Sequence, residues 1–350
     1  MSDAAAIPVP EKALPSPLAP DRGVGLVRGW LLLIAVMVYG TILVGGATRL
    51  TDSGLSITEW RPLLGAIPPM TDADWQDAFA KYQSMTAQYS AVNPDMGLAE
   101  FKGIFWWEWA HRQLGRAIGV AFALPLAFFW LTGRVTKKLL PHLLGLFALG
   151  GLQGLIGWWM VTSGVNTELT SVAPYRLMTH FGLALLIIAY CFWLWLELGN
   201  RRQSLPEAAG WASALMWLTG IQLALGALVA GLDAGRGYTD WPLMSGDIVP
   251  RAMWALDPLW RNFFENEATT QFLHRVIAYG LFGASLFAAW KFRKAGVFLF
   301  PLFAALVAAQ AVLGIVTLVH AAPLTLALLH QALGVVVLLA GVHLIWTARR

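Results

Sequence analysis

Four histidines stand inside apolar runs of this chain. They are His111 in Glu108-Trp-Ala-His-Arg112, His180 in Leu177-Met-Thr-His-Phe, His274 in Gln271-Phe-Leu-His-Arg275 and His330 in Leu328-Leu-His-Gln331. An imidazole in hydrocarbon is costly without a partner, so an ionisable residue there points to function. Neutral imidazole is also the commonest metal ligand among side chains. Four of them, divided two and two between the halves of the chain, suggest two metal-centred sites.

Such sites need helices to carry them across a bilayer. The 350 residues are 57% hydrophobic and 13% charged, against about 25% charged in a soluble domain. Eighteen tryptophans fit aromatic belts at two membrane interfaces. Apolar stretches of spanning length occur at roughly 29–48, 104–131, 142–162, 176–198, 211–232, 270–290, 296–319 and 325–347,. The expected fold is therefore all-α and integral to the membrane, with eight transmembrane helices.

The connections alternate in charge. One set is short and basic: Arg22 and Arg28, then Arg134-Lys137-Lys138, Arg201-Arg202, Lys291-Arg293-Lys294 and Arg349-Arg350. The other set contains two long loops, 49–103 and 233–269, where acidic residues offset basic ones. The positive-inside rule then puts both termini in the cytoplasm and the long loops outside, as in a multi-pass protein of a bacterial inner membrane. The net charge of +4 is accounted for by this topology and gives no reason to expect nucleic acid. Residues 1–24, rich in Ala and Pro, read as a disordered cytoplasmic tail. The lone cysteine, Cys191, excludes an intrachain disulfide, a Cys-rich zinc site and an iron–sulfur cluster held by one chain.

The two halves repeat each other. Leu152-Gln153-Gly-Leu-Ile-Gly157 in the third span matches Ala309-Gln310-Ala-Val-Leu-Gly314 in the seventh. Glu59-Trp-Arg-Pro62 in the first long loop matches Asp240-Trp-Pro242 in the second, and His111-Arg112 matches His274-Arg275. Four spans per half give the halves the same orientation, so the expectation is two pseudo-symmetric four-helix bundles, 25–200 and 201–350, related by an axis along the membrane normal.

The even-numbered spans run inward, and each histidine is expected about five to seven residues into its span, roughly 7–10 Å below the outer interface. Facing helices of a bundle build cofactor sites. Two imidazoles per site, with no thiolate or carboxylate array and no His-x-x-x-His pair, point to haem iron held on both faces rather than to zinc. Arg112 and Arg275 are candidates for haem propionates. His142 and His343 fall at cytoplasmic helix ends, and His320 closes the seventh span at the outer face.

One difference breaks the symmetry. Glu108 stands three residues before His111, and Gln271 three before His274. An i, i+3 pair shares a helix face, so each side chain is expected to point at the cavity of its histidine. A buried carboxyl is expensive, and such groups cluster where chemistry is done. The N-terminal pocket is thus expected to be reactive, and the C-terminal pocket to hold a permanent redox cofactor.

The run Gly45-Gly-Ala-Thr-Arg-Leu-Thr-Asp-Ser-Gly-Leu-Ser56, followed by Trp60-Arg-Pro62 and Gly65-Ala-Ile-Pro-Pro69, resembles the first-loop signature of the haem A synthase family. Glu108-Trp-Ala-His111-Arg112 is similar to its catalytic helix, and Gly231-Leu-Asp233-Ala-Gly235 with Pro242-Leu-Met to its second half. The resemblance covers all eight spans. It implies oxidation of the C8 methyl of haem O to the formyl of haem A for terminal oxidases, with water as the oxygen source. It also implies haem b on His274 and His330 with Arg275, substrate haem on His111 and His180 with Arg112, and Glu108 as the catalytic residue. Absence of a cysteine pair in the first outer loop places the chain nearest the alphaproteobacterial and mitochondrial branch. Implied partners are the bilayer, haem O from haem O synthase and an unidentified electron acceptor; a homo-oligomer stays open. A dihaem electron carrier is the rival reading, and a transporter a weaker one.

Overall fold

The computed structural model describes residues 16–20, 22–62, 64–199, 206–294 and 298–348. Their long helices are α1 (Val24–Leu50), α2 (Leu98–Leu131), α3 (Leu140–Val161), α4 (Pro174–Glu197), α5 (Ala209–Gly231), α6 (Glu267–Lys291), α7 (Leu299–Val319) and α8 (Leu324–Ala348). All eight are long and apolar enough to cross a membrane. Helices are the expected answer to hydrocarbon, because every backbone N–H and C=O must be satisfied within the segment. Their ends carry local signals. Pro stands in the first turn of α3 and α4, and the Asn266 side chain accepts from Thr269 N at 3.1 Å to cap α6,.

Apart from α1, which begins at Val24 rather than near 29, the expected spans agree with the observed helices except at the start of α2, which begins at Leu98 rather than near 104. The cause is a second partner outside the membrane. The amphipathic helix Asp72–Met85 starts with a capping box between Thr71 and Asp74,. It lays Trp75, Phe79 and Tyr82 against Phe101 and Phe105 on the outer turns of α2. Those aromatic contacts keep α2 helical above the length a bilayer requires.

In the first bundle α1 packs on α2 and α4, and α3 on α2 and α4; in the second α5 packs on α6 and α8, and α7 on α6 and α8. The inner helices α1, α4, α5 and α8 also pack across the bundles. The main core cluster joins Leu31, Ile34, Ile188, Cys191 and Leu194 to Val335 and Leu338 of α8. Cys191 is free and fully buried, a small apolar filler here,. At the junction Gly46 lies so close to Gln331 that a methyl group there would overlap its Oε1, and Gln331 Nε2 donates to Ile42 O at 2.8 Å. Small residues allow such close approach where lipid gives no hydrophobic drive to association.

The start of α1 and the ends of α4 and α8 share one end of the molecule. Arg28 Nε donates to Trp195 O at 3.1 Å and Trp346 Nε1 to Glu197 Oε2 at 3.1 Å. Residues 1–15, Asp21, Arg201-Arg202 and Arg349-Arg350 lie outside the described residues, as does the boundary at 200–205. Where the expected tail is described, it is docked rather than disordered. The Ser16 hydroxyl donates to Glu197 at 3.1 Å, Thr136 Oγ1 donates to Leu18 O at 3.2 Å, and Val24 already begins α1.

Candidate functional site: two imidazole pairs under clasped loops

Each of His111, His180, His274 and His330 rests on a glycine of the preceding helix. A methyl group placed on Gly45 would stand 2.7 Å from His111 Cε1, on Gly157 2.8 Å from His180 Cε1, on Gly226 3.2 Å from His274 Cε1, and on Gly314 2.8 Å from His330 Cε1. All four glycines are helical, so what they supply is space for a ring edge and not backbone freedom.

The pairing of the rings follows. His111 and His180 have centroids 6.4 Å apart with planes inclined at 74°, and His274 lies within electrostatic reach of His330. One iron midway between the first two rings would be about 3 Å from each centroid, the length of a metal–imidazole bond plus the ring radius. His111 Nδ1 and His180 Nδ1 are both buried without a partner. Among the described residues no group of three or more His, Cys, Asp or Glu could hold a bare ion. The donor set fits a group with its own equatorial ligands, as a haem has.

Depth differs from the expectation in one case. His180, His274 and His330 lie about two turns into α4, α6 and α8. His111 lies more than three turns into α2 because of that helix's outward extension.

Glu108 is 3% exposed and fully engaged. Its Oε2 accepts from Ser56 Oγ and Ile57 N, both at 2.8 Å, and its Oε1 from Arg112 Nη2 at 2.6 Å and Nε at 3.1 Å. Arg112 also donates to Ile57 O at 2.7 Å and Glu59 O at 3.1 Å. The carboxyl therefore faces the strand of loop just after α1, and the expectation that it shares the cavity of His111 is refined to this loop-side seat. The second half repeats the clasp. Arg275 donates to Gln271 Oε1 at 2.8 Å and to the carbonyls of Tyr238, Asp240 and Leu243, while Gln271 Nε2 donates to Ala234 O and Tyr238 O. The Nη donors of both arginines, expected to meet propionates, are committed to loop carbonyls. Helical i, i+4 spacing brings each pair together, and the guanidinium fork satisfies loop carbonyls that would otherwise be stranded.

The loops have their own electrostatics. Backbone N–H groups of Gly246 and Ser245 hold the Asp240 carboxyl below its ordinary value,. Burial raises that of Asp52, which pairs with Arg49 at 3.2 Å. Arg49 also reaches across the halves to Asp233 at 2.5 Å and to Gly231 O. His142 bonds Tyr190 OH at 2.6 Å, His343 lies beside Trp346 and Phe192, and exposed His320 bonds Val316 O at 2.8 Å. None of these three joins a pair.

A family model described as cytochrome oxidase assembly protein matches residues 28–342. The chain belongs to this family. Among similar proteins, one from Hyphomonas neptunium is 57% identical over 95% of this chain and 96% of its own length. Others from Agrobacterium fabrum and Rhizobium meliloti are 48% and 49% identical over 89% and 91% of this chain, and 87% and 88% of theirs. All three carry the name heme A synthase. In this member of the family, Gly226 and Gln222 join the sites without a part in the motifs named above. Their signal is the Gln-x-x-x-Gly spacing visible at Gln153–Gly157 and Gln310–Gly314, which recurs at Gln222–Gly226; Gly45, the first residue of the loop motif, is preceded at that spacing by Thr41.

Proposed function

We propose that this chain is a haem A synthase, which oxidises the C8 methyl group of haem O to the formyl group of haem A for terminal oxidase assembly. One observation carries the reading: of two matching imidazole pairs, a single one has a buried carboxyl three residues before its histidine, in a chain similar over its length to proteins named heme A synthase. His111 and His180 hold the substrate haem, and His274 and His330 hold a resident haem b. That haem b supplies a one-electron acceptor between the substrate and an external electron acceptor.

The overall change converts CH3 and one water into CHO, four protons and four electrons. Removing electrons from the substrate methyl in two rounds, each followed by addition of water, gives a gem-diol that loses water to the aldehyde. Glu108 receives the proton that each adding water sheds. All four of its lone-pair directions are filled, so it must release a donor to take one. Ser56 is suited to this: its hydroxyl rotates, and Ile104 O stands 3.5 Å away as a second acceptor. Arg112 keeps the carboxyl in place, and loop one lies over it. Arg112 and Arg275 serve the haem edges by fastening the loops; Arg275 Nε, buried without a partner, is the donor left for a propionate.

The basic residues Arg28, Arg134, Lys137, Lys138, Lys291 and Arg293 support a cytoplasmic end that holds both termini, with the haem sites toward the periplasm of a bacterial inner membrane. Haem O synthase is the supplier of substrate in this reading. The test is haem content and optical spectrum of the four His→Ala variants. His274→Ala and His330→Ala are expected to lose haem b, and His111→Ala and His180→Ala to keep it; identical behaviour of all four overturns the division.

A further inference from the structure

One helical turn before each cradle glycine stands a polar residue, and in three of the four places it faces the imidazole. Gln153 precedes Gly157, Gln222 precedes Gly226, Gln310 precedes Gly314, and Thr41 precedes Gly45. Gln222 Nε2 lies 3.1 Å from both ring nitrogens of His274. Gln310 Nε2 lies 3.2 and 3.4 Å from the ring nitrogens of His330 and donates to His330 O at 2.9 Å. Gln153 Nε2 donates to His180 O at 3.0 Å and lies 3.5 Å from the ring.

The Oε1 of all three glutamines is buried without a partner. A buried orphan acceptor needs an explanation. A histidine that binds a metal through one ring nitrogen carries its proton on the other and almost always donates it to a fixed acceptor, which sets the ring's orientation and basicity. A glutamine amide offers that acceptor: Gln222 by a half-turn that exchanges its oxygen and nitrogen, and Gln153 and Gln310 through the unpartnered Oε1 while Nε2 keeps the histidine carbonyl,.

The fourth position breaks the pattern. Thr41 spends its hydroxyl on Met37 O at 2.8 Å, and His111 Nδ1 is buried without a partner.

We propose that Gln153, Gln222 and Gln310 are positioning residues for three axial histidines, and that Thr41 in the fourth place makes His111 the ligand that releases first. The inference rests on the ligand assignment above and deepens it. A resident haem held by His274 and His330 has two anchored ligands. A berth that must take in one haem and let out its product has one anchored ligand, His180, and one loose ligand, His111.

The experiment uses the full chain purified with its haems, mixed with excess apomyoglobin as the haem acceptor, and follows release of each haem by its spectrum; redox titration of the retained haem b is the second readout. Outer-shell substitutions typically cost about 10- to 100-fold in metal affinity. Gln310→Leu and Gln222→Leu are therefore expected to speed loss of haem b by about tenfold or more, and Gln153→Leu to speed loss from the N-terminal half. Thr41→Gln is expected to slow that loss by a similar factor. Gln310→Glu, which keeps an acceptor and adds charge, should restore retention while lowering the haem b midpoint potential, a response that packing alone would not give. Unchanged release and potential in the glutamine variants, with haem still lost from the histidine variants, overturns this proposal and leaves the ligand assignment standing. Retention of both haems by all four His→Ala variants overturns both.

Discussion

Glu108 and Gln271 hold the same place in the two halves, and each accepts a hydrogen bond from the arginine four residues on, at 2.6 Å from Arg112 and 2.8 Å from Arg275. The second half thus contains a working example of the clasp without a carboxylate. Breaking a buried ion pair by truncation costs about 3–5 kcal/mol, because the remaining charge is left unpaired. An amide of the same shape still accepts from the guanidinium.

Glu108→Gln keeps the acceptor for Arg112 but sets an NH2 group against Ile57 N–H, so it is expected to fold and to bind haem at normal content while holding loop one less firmly. Its formation of formyl product should fall by about 100-fold or more, the usual worth of a positioned proton acceptor. Haem extraction with identification of products checks this; normal haem A yield from Glu108→Gln removes Glu108 from the chemistry.

Alanine at the four cradle glycines should act in a graded way. A methyl group meets His111, His180 and His330 at 2.7–2.8 Å and His274 at 3.2 Å. Overpacking of this kind costs about 1–3 kcal/mol. Gly45→Ala, Gly157→Ala and Gly314→Ala should each displace their imidazole and lower haem content at that site. Gly226→Ala should be the mildest, which haem-to-protein ratios of the four purified variants will rank.

Loop two should loosen in acid. The Asp240 carboxyl accepts from Ser245 N at 2.8 Å and Gly246 N at 3.0 Å, and these bonds lower its folded-state pKa below the ordinary 3.8. A group lowered on folding contributes stability that is whole above its unfolded value and is lost as pH falls through the folded one. Amide exchange at Ser245 and Gly246 should be protected above 3.8 and rise as the pH drops further. Asp240→Asn should exchange quickly at every pH.

The Arg49–Asp233 bridge joins the last turn of α1 to the second half, with side chains 11% and 43% exposed. Partial exposure keeps its worth near 1 kcal/mol or less. Asp233→Asn should lower the thermal midpoint by a few degrees, with the difference shrinking at high salt. An unchanged midpoint at low salt would show that Asp52 and Gly231 O suffice to hold Arg49.

Much of the fold is legible in hydropathy, because lipid demands helices of a set length and the loops carry the charge bias. The outward extension of α2 is not, since its reason is an aromatic contact with Trp75, Phe79 and Tyr82 more than fifteen residues away in sequence. The histidines stand out because imidazoles are rare in apolar runs. Their glycine seats do not, because glycine is common in membrane helices. The loop-side seat of Glu108 depends on Ser56 and Ile57, some fifty residues distant; helix periodicity gives the face of a side chain but not what lies across from it.

Gly45 and Gly46 are neighbours on α1, and they face different ways. Gly45 carries the edge of His111, and Gly46 carries Gln331, the residue next to His330. Successive residues on a helix point about 100° apart, so one dipeptide is the common bearing for both halves. A small roll of α1 that tightens the seat of His111 must change the pressure on α8 beside His330. The two sites are built as copies, but they turn on a shared axle, and neither can be repositioned without registering in the other.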